Sequence, residues 1–136
     1  MKFEVRPLAA GLLIILVVSM VGCARGGGGD EAFPVFLERF IRDEAFRVSR
    51  TSLPLLVLVG RAAQSWSLEQ VKERFTVPLP KDQLQTKGLV ESTPTSTPTE
   101  VELLQSKPRS NSHLLKYRFE LKGGQWFLTY FEDSSH

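Results

Sequence analysis

Apolar residues at helical spacing open the patterned part of this 136-residue chain. Asp30 is a candidate N-cap, and Pro34 falls in the first turn, where proline is tolerated. Asp43 is then expected to cap a short turn or helix that reaches Phe46. The apolar positions follow the i, i+3, i+4, i+7, i+8 spacing of a helix that buries one face, and they are Phe33, Phe36, Leu37, Phe40 and Ile41.

An apolar run and a capping motif predict the elements that follow. Residues 53–59 are continuously apolar up to Gly60, which indicates a buried strand with Pro54 at its start or edge. Ser67 and Gln70 have the spacing of a capping box, which predicts the start of a short helix.

The segment before the last quarter of the chain has little apolar pattern. Residues 91–100 are rich in Ser, Thr and Pro and are interpreted as a flexible surface loop. Residues 101–105 are a further candidate strand.

The end of the chain has the pattern of a β-hairpin over residues 114–131. Gly123 and Gly124 stand between two alternating runs, which is a strong signal for a two-residue turn. Pairing Lys122 with Gln125 fixes the register. On the face that must meet the core, this register places Leu121 opposite Trp126, Phe119 opposite Leu128 and Tyr117 opposite Tyr130.

The other face of the predicted hairpin is polar on its first strand and aromatic on its second. Phe127 and Phe131 lie on this face, so they are either covered by the stems of lysine and arginine side chains or exposed. An exposed pair would form a contact surface, and a homodimer through it is one possibility. The register on this face pairs Glu120 with Phe127, Arg118 with Thr129 and Lys116 with Phe131.

The first 22 residues have the composition of a bacterial export signal. Lys2 and Arg6 form a basic start, and residues 8–22 carry no charge. This run is shorter than the roughly 20 apolar residues of a spanning helix and fits the core of a signal peptide. It ends at Gly22 and Cys23, which with the residues before them resemble the lipobox, so cleavage is expected between the two.

Cys23 is the only cysteine of the sequence, and lipid on its sulfur explains a lone thiol in an exported protein. Residues 23–30 contain four consecutive glycines and are expected to form a flexible tether. The chain then divides into a signal (1–22), this tether and one domain (31–134). We expect the domain to lie outside the cytoplasm, in the bacterial cell envelope, held by lipid on the inner or the outer membrane.

One spaced set of residues leads from a Phe-rich helix into a proline-containing strand: Phe36, Phe40, Asp43, Phe46, Arg50, Leu53, Pro54 and Leu55, with Trp126 and Tyr130 near the end. This set resembles an uncharacterised family of short lipoproteins known mainly from Bacteroidetes, although residues 86–112 depart from it. The resemblance implies a cystatin-like cone of the nuclear-transport-factor-2-like type, an α+β fold with N-terminal helices packed on a curved antiparallel sheet. The family has no established activity, so no catalytic residue is implied.

Composition and motifs give little support for catalysis. The net charge of +2 does not suggest a nucleic acid partner, and the absence of metal-ligand motifs argues against a metal or other cofactor. Some enzymes with a cone fold place an Asp and a Tyr in an apolar cavity, which makes Asp43, Tyr117 and Tyr130 candidates beside their structural roles as a helix cap and core residues. Arg50 is expected either to pair with Asp43 or to bind a ligand carboxylate.

Two functions from different classes follow. The first is a non-catalytic binding or interaction module on a lipid tether, whose partner is an envelope protein or a cell-wall fragment. The second is a small enzyme or ligand carrier that uses an apolar cavity inside the cone. An interior filled by Phe and Leu side chains would argue against the second.

Overall fold

A computed structural model describes residues 29–109 and 114–134. The predicted signal, the cleavage site at Gly22, the lipidation site at Cys23 and most of the tether lie outside the described residues.

In this part of the chain two helices precede two strands, and two more helices precede the last four strands. Helix α1 spans Phe33–Arg42, α2 Glu44–Ser49, α3 Leu68–Arg74 and α4 Lys81–Leu84. The strands are β1 (Thr51–Val59), β2 (Ala62–Trp66), β3 (Val90–Ser96), β4 (Glu100–Ser106), β5 (Leu114–Lys122) and β6 (Gln125–Asp133).

The six strands form one curved sheet in the order β2-β1-β6-β5-β4-β3. The predicted α+β class, with helices first and a hairpin last, is confirmed. The expectation of a wholly antiparallel sheet is wrong at one place, because β1 runs parallel to β6. The first and last of the described strands therefore lie side by side inside the sheet.

The start of α1 is set by a contact outside the helix. Its N-cap is Ala32 and not the predicted Asp30. The backbone N–H of Glu31 donates a hydrogen bond to the carbonyl oxygen of Gly124 at 3.0 Å. Because this bond ties Glu31 to the hairpin turn, the helix begins only after it.

Two other helix starts follow the sequence signals. Asp43 caps α2, since its carboxylate accepts a hydrogen bond from the backbone N–H of Phe46 at 3.1 Å. Ser67 and Gln70 form the predicted capping box at α3. Both helices are short, and the caps satisfy backbone groups that would otherwise have no partner.

The predicted flexible loop over residues 91–100 is wrong for most of its length, because residues up to Ser96 form strand β3. Threonine is β-branched and favours extended backbone. Pro94 is tolerated because β3 is an edge strand, and the register is irregular between Ser92 and Thr95. A Ser/Thr/Pro composition describes both a loop and an edge strand of this kind.

A β-bulge changes the predicted register in the second half of the hairpin. The pairs from the turn to Phe119 opposite Leu128 are as predicted. Beyond them Thr129 is an extra residue in β6, so Arg118 pairs with Tyr130. Because side chains alternate along a strand, one extra residue moves every later side chain to the opposite face.

The bulge reverses two predicted positions. Phe131 is fully buried in the core and lies opposite Tyr117. Tyr130 is half-buried on the outer face of the sheet, where Phe131 was expected. The predicted contact surface of Phe127 and Phe131 is therefore wrong, since only the half-buried Phe127 of this pair lies on the outer face.

The inner face of the sheet and the helices enclose a core made mostly of aromatic rings. Phe119 of β5 lies at its centre, with its ring centroid 5.6 Å from that of Phe36 and 5.3 Å from that of Phe40. Phe75, after α3, packs edge-on against Phe131 at 4.9 Å. The interior of the fold is thus occupied by side chains, which include Phe36, Phe40, Leu55, Leu103, Tyr117, Phe119, Leu128 and Phe131.

Candidate functional site

A half-open groove of about 470 Å³ lies between α1, α4 and the strands β3 and β4. Its floor is apolar and consists mainly of Leu37 and Ile41 of α1 and the buried Leu103 of β4. An apolar floor with a small number of polar groups around it is typical of ligand sites. The charged residues that line it are Glu38, Arg42, Lys81, Asp82 and Glu91.

The groove exists because the apolar face of α1 is wider than the core that it covers. Phe36 and Phe40 are buried against the sheet, whereas Phe33, Leu37 and Ile41 form a second row at i, i+4 and i+8. This second row remains partly exposed. The sequence pattern placed all five residues on one buried face and did not separate the two rows.

The wall opposite α1 is held by a buried glutamine. The Nε2 group of Gln105 donates hydrogen bonds to the Leu79 carbonyl oxygen and to Glu91 Oε1, both at 3.0 Å, and Gln105 Oε1 accepts one from the Leu79 backbone N–H at 3.0 Å. Gln105 is fully buried. It therefore fixes the segment before α4 against the sheet, next to the groove.

Sequence reasoning missed the role of Gln105. The signal was its place in β4, where Val101, Leu103 and Gln105 alternate toward the inside of the sheet. A polar side chain at an inward position needs hydrogen-bond partners, and a nearby loop is a common source of them.

Tyr117 supports the same wall from β5. Its hydroxyl donates a hydrogen bond to the carbonyl oxygen of Thr76 at 2.7 Å. Burial, together with the negative charge of Asp133, raises the pKa of Tyr117 well above its ordinary value. This hydroxyl stays protonated and serves as a structural donor.

Tyr130 lies on the other side of the sheet from Tyr117. Its hydroxyl donates to Glu132 Oε1 at 3.0 Å, and the guanidinium of Arg118 lies 4.8 Å from its ring centroid. Burial, and then the hydrogen bond and charge of Glu132, raise the pKa of Tyr130. The two candidate tyrosines are thus not brought to one site, and neither lines the groove.

The predicted ion pair between Asp43 and Arg50 is wrong. Asp43 caps α2 and lies 3.7 Å from Arg39, one turn earlier on the same side of α1. Arg50 instead forms a bidentate pair with Glu31, at 2.6 and 3.2 Å. Arg50 is the C-cap residue of α2, and its side chain extends under the hairpin, away from Asp43.

Glu31, Arg50 and Trp126 form a cluster that we call the clamp. Arg50 donates to the Trp126 carbonyl oxygen at 3.1 Å, while Glu31 accepts from the Trp126 backbone N–H at 3.0 Å. The Trp126 indole N–H donates to the Glu31 carbonyl oxygen at 2.8 Å. Burial alone would raise the pKa of Glu31, but the hydrogen bonds from Arg50 and Trp126 and the charge of Arg50 outweigh it and lower the pKa.

Glu100, Glu102, Arg118 and Tyr130 form a second cluster, the outer cluster, on the outer face of the sheet. Arg118 lies 3.2 Å from Glu102 and 3.6 Å from Glu100. Burial acts to raise the pKa of Glu102, but hydrogen bonds from Thr95 and Arg118, with the nearby positive charges, lower it.

Three solved structures from Bacteroides are similar to this chain. A nuclear-transport-factor-2-like protein from Bacteroides fragilis has a TM-score of 0.60 at 18% identity over 79% of this chain, which spans about half (48%) of that protein. A cystatin-like protein from Bacteroides caccae has a TM-score of 0.56 at 20% identity, covering 79% of this chain and 78% of that one. A protein from Bacteroides uniformis has a TM-score of 0.54 at 23% identity, covering 77% and 78%. The fold is the cystatin-like cone.

The cone fold implied by the resemblance is thus confirmed, and these likenesses extend to the fold alone. The sequence matches no family model and no curated protein. In residues 29–109 and 114–134 of this cone, no group of His, Cys, Asp and Glu side chains is arranged to hold a metal ion. No helix of the same residues is long and apolar enough to cross a membrane.

The cone has little space left in its interior. Aromatic and leucine side chains fill the region between the helices and the sheet, and the groove lies beside this packed core. Asp43, Arg50, Tyr117 and Tyr130 lie in separate structural contacts and do not line this groove. The arrangement can bind a ligand through apolar contact and charged groups of both signs.

Proposed function

We propose that this protein is a lipid-anchored, non-catalytic binding module of the bacterial cell envelope and that its groove binds a short amphipathic segment of a partner protein. The groove is the observation that carries the proposal. It combines an apolar floor with charged side chains of both signs, and Gln105 fixes its wall.

The shape and charge of the groove favour a peptide segment as ligand. The apolar row from Phe33 to Ile41 runs for about 12 Å along α1, the length of a few extended residues. Arg42 and Lys81 offer positive charge, and Glu38, Asp82 and Glu91 offer negative charge. A segment with apolar side chains between charges of opposite sign would complement both features.

A small enzyme or carrier, the alternative function, requires an open cavity inside the cone with an ionisable group in it. The interior is filled by aromatic rings. Glu31, Glu102, Tyr117 and Tyr130 have displaced pKa values, but each is engaged in contacts away from the groove. These observations favour binding over catalysis.

The anchor part of the proposal rests on the sequence. Cys23 follows an uncharged run of signal-peptide length and precedes a glycine-rich spacer. Metabolic labelling with an alkyne fatty acid tests it. We expect label on the wild-type protein and none on Cys23→Ser, whereas an unlabelled wild type would refute the anchor.

Site-specific photocrosslinking tests the groove. A benzoylphenylalanine placed at Leu37 lies in the groove, while one placed at Val35, 70% exposed on the same helix, does not line it. We expect one discrete adduct at position 37, with a partner peptide identified by mass spectrometry. The adduct should disappear when Ile41→Glu is added. Equal adducts at both positions, or persistence with Ile41→Glu, would contradict the proposal.

A further inference from the structure

The two edges of the sheet are built differently. The β3 edge contains Pro94 and an irregular register, both of which hinder the addition of another strand. The β2 edge has neither device and carries no charged side chain. Its first four residues, Ala62, Ala63, Gln64 and Ser65, are exposed. Natural proteins protect exposed edges with charges, proline, bulges, short strands or a covering element, and an edge strand without charge or proline can accept another strand.

The hydrogen-bonding groups available on β2 follow from its turn. β1 and β2 are joined through Gly60 and Arg61, and Val59 pairs with Ala62 next to this turn. Since hydrogen-bonded and non-hydrogen-bonded pairs alternate from such a turn, Ala63 and Ser65 direct their N–H and C=O groups away from β1. Within the described residues β2 pairs with β1 alone.

We propose that β2 pairs antiparallel with β2 of a second copy of this chain, about a twofold axis at Gln64. This register sets Ala63 opposite the partner's Ser65 and Ser65 opposite the partner's Ala63. All outward groups of these two residues are then used in four hydrogen bonds. The side chains of Ala63 and Ser65 are small, so they do not obstruct the approach of the partner strand.

Charges at the two ends of β2 support a second copy as the occupant. Arg61 precedes the strand, and Glu69 lies in the first turn of α3 directly after it. An antiparallel pairing brings unlike ends together, so Arg61 lies opposite the partner's Ser67 and within reach of the partner's Glu69. The twofold axis repeats this contact. A parallel arrangement would instead bring like charges together.

The proposed dimer is independent of the groove function. The groove lies beside β3, at the opposite edge of the sheet from β2. Both grooves would stay open in the dimer, at the two ends of a continuous twelve-stranded sheet.

Disulfide crosslinking of the full chain in cells tests the pairing. In an antiparallel sheet, Gln64 and the partner's Gln64 would form a non-hydrogen-bonded pair with Cα atoms about 4.5 Å apart, close enough for a disulfide. We expect Gln64→Cys to give a covalent dimer after brief treatment with copper phenanthroline. The matched control is Thr93→Cys on the β3 edge, and wild type reports any dimer through Cys23.

Charge reversal separates the proposed dimer from random collision. In the Gln64→Cys background, Arg61→Glu or Glu69→Arg alone should lower the dimer yield about fivefold, because two attractive pairs become repulsive. The double reversal should restore the yield, which also shows that the variants fold. A Gln64→Cys yield no higher than that of Thr93→Cys, or a double reversal that does not restore it, would overturn the proposal.

Discussion

The clamp and the outer cluster each join an arginine to carboxylates beside the same hairpin, but their surroundings differ. In the clamp the side chains of Arg50 and Glu31 are 11% and 24% exposed. In the outer cluster those of Arg118 and Glu100 are 37% and 40% exposed, while that of Glu102 is 14% exposed. Water can reach Arg118 and Glu100 of the outer cluster and largely cannot reach Arg50 of the clamp, so we expect the loss of the arginine to cost less stability in the outer cluster.

The clamp also has a role that the outer cluster does not have. Glu31 is the first residue after the predicted tether, and it hydrogen-bonds to both the hairpin turn and Trp126. The clamp thus fixes where the folded domain begins. The outer cluster joins strands that are already paired by backbone hydrogen bonds.

The largest expected effect comes from breaking the clamp. Arg50→Met keeps much of the side-chain volume but leaves Glu31 without its cation in a mostly buried place. We expect the free energy of unfolding to fall by about 3 kcal/mol, measured by urea denaturation. The control Arg42→Met removes an exposed pair with Glu38, 3.5 Å apart, and should change it by less than about 0.5 kcal/mol. Equal losses of unfolding free energy in the two variants would mean that burial does not determine how much the clamp stabilises the fold.

The acid dependence of stability should show the same difference with a smaller effect. The folded-state pKa of Glu31 lies below its ordinary value of 4.5, so the clamp stabilises the fold above that pH and loses this contribution as the pH falls through the folded pKa. We expect the free energy of unfolding of wild type to exceed that of Glu31→Gln by about 1–2 kcal/mol near neutral pH, and this gap should close below about pH 4.5. A gap that is constant from pH 7 to pH 3 would show that the charge of Glu31 is not involved. Thermal unfolding across this range measures it.

The sequence predicted the elements that depend on local pattern. The α1 stripe, the caps at Asp43 and Ser67, the strand over residues 53–59 and the hairpin turn at Gly123 are all present. The strand is not buried throughout as predicted, because Leu53 and Leu56 are 46% and 56% exposed. Each of them is determined by residues close together in the chain.

The errors came where distant parts of the chain decide the outcome. Thr129 gives no local sign that it is the extra residue of a bulge, yet it determines which face Phe131 and Tyr130 occupy. Proximity in the sequence favours Asp43, seven positions away, or a ligand carboxylate as the partner of Arg50. The observed partner is Glu31, whose position beneath the hairpin depends on the whole fold.

The candidate site was the least predictable part. The groove depends on how much of α1 is covered by the sheet and by the segment that Gln105 holds. Leu37 and Ile41 are ordinary apolar residues of a helix, so their type alone does not show that they line a groove. The expected cavity residues Tyr117 and Tyr130 instead took structural roles on opposite faces of the sheet.

The smallest expected effect tests the exposed side of the comparison. Arg118→Met removes the cation shared by Glu100 and Glu102, but Glu100 can be hydrated, and Thr95 still donates a hydrogen bond to the mostly buried Glu102 at 2.9 Å. We expect a loss of less than about 1 kcal/mol, which becomes smaller as salt is raised because exposed charges are screened. Urea unfolding in low and high salt measures it, with Arg50→Met as the partner variant whose loss should persist in salt. If Arg118→Met lowered the free energy of unfolding more than Arg50→Met, exposure would have failed to predict the strength of the two ion pairs. The outer cluster, and not the clamp, would then hold the hairpin.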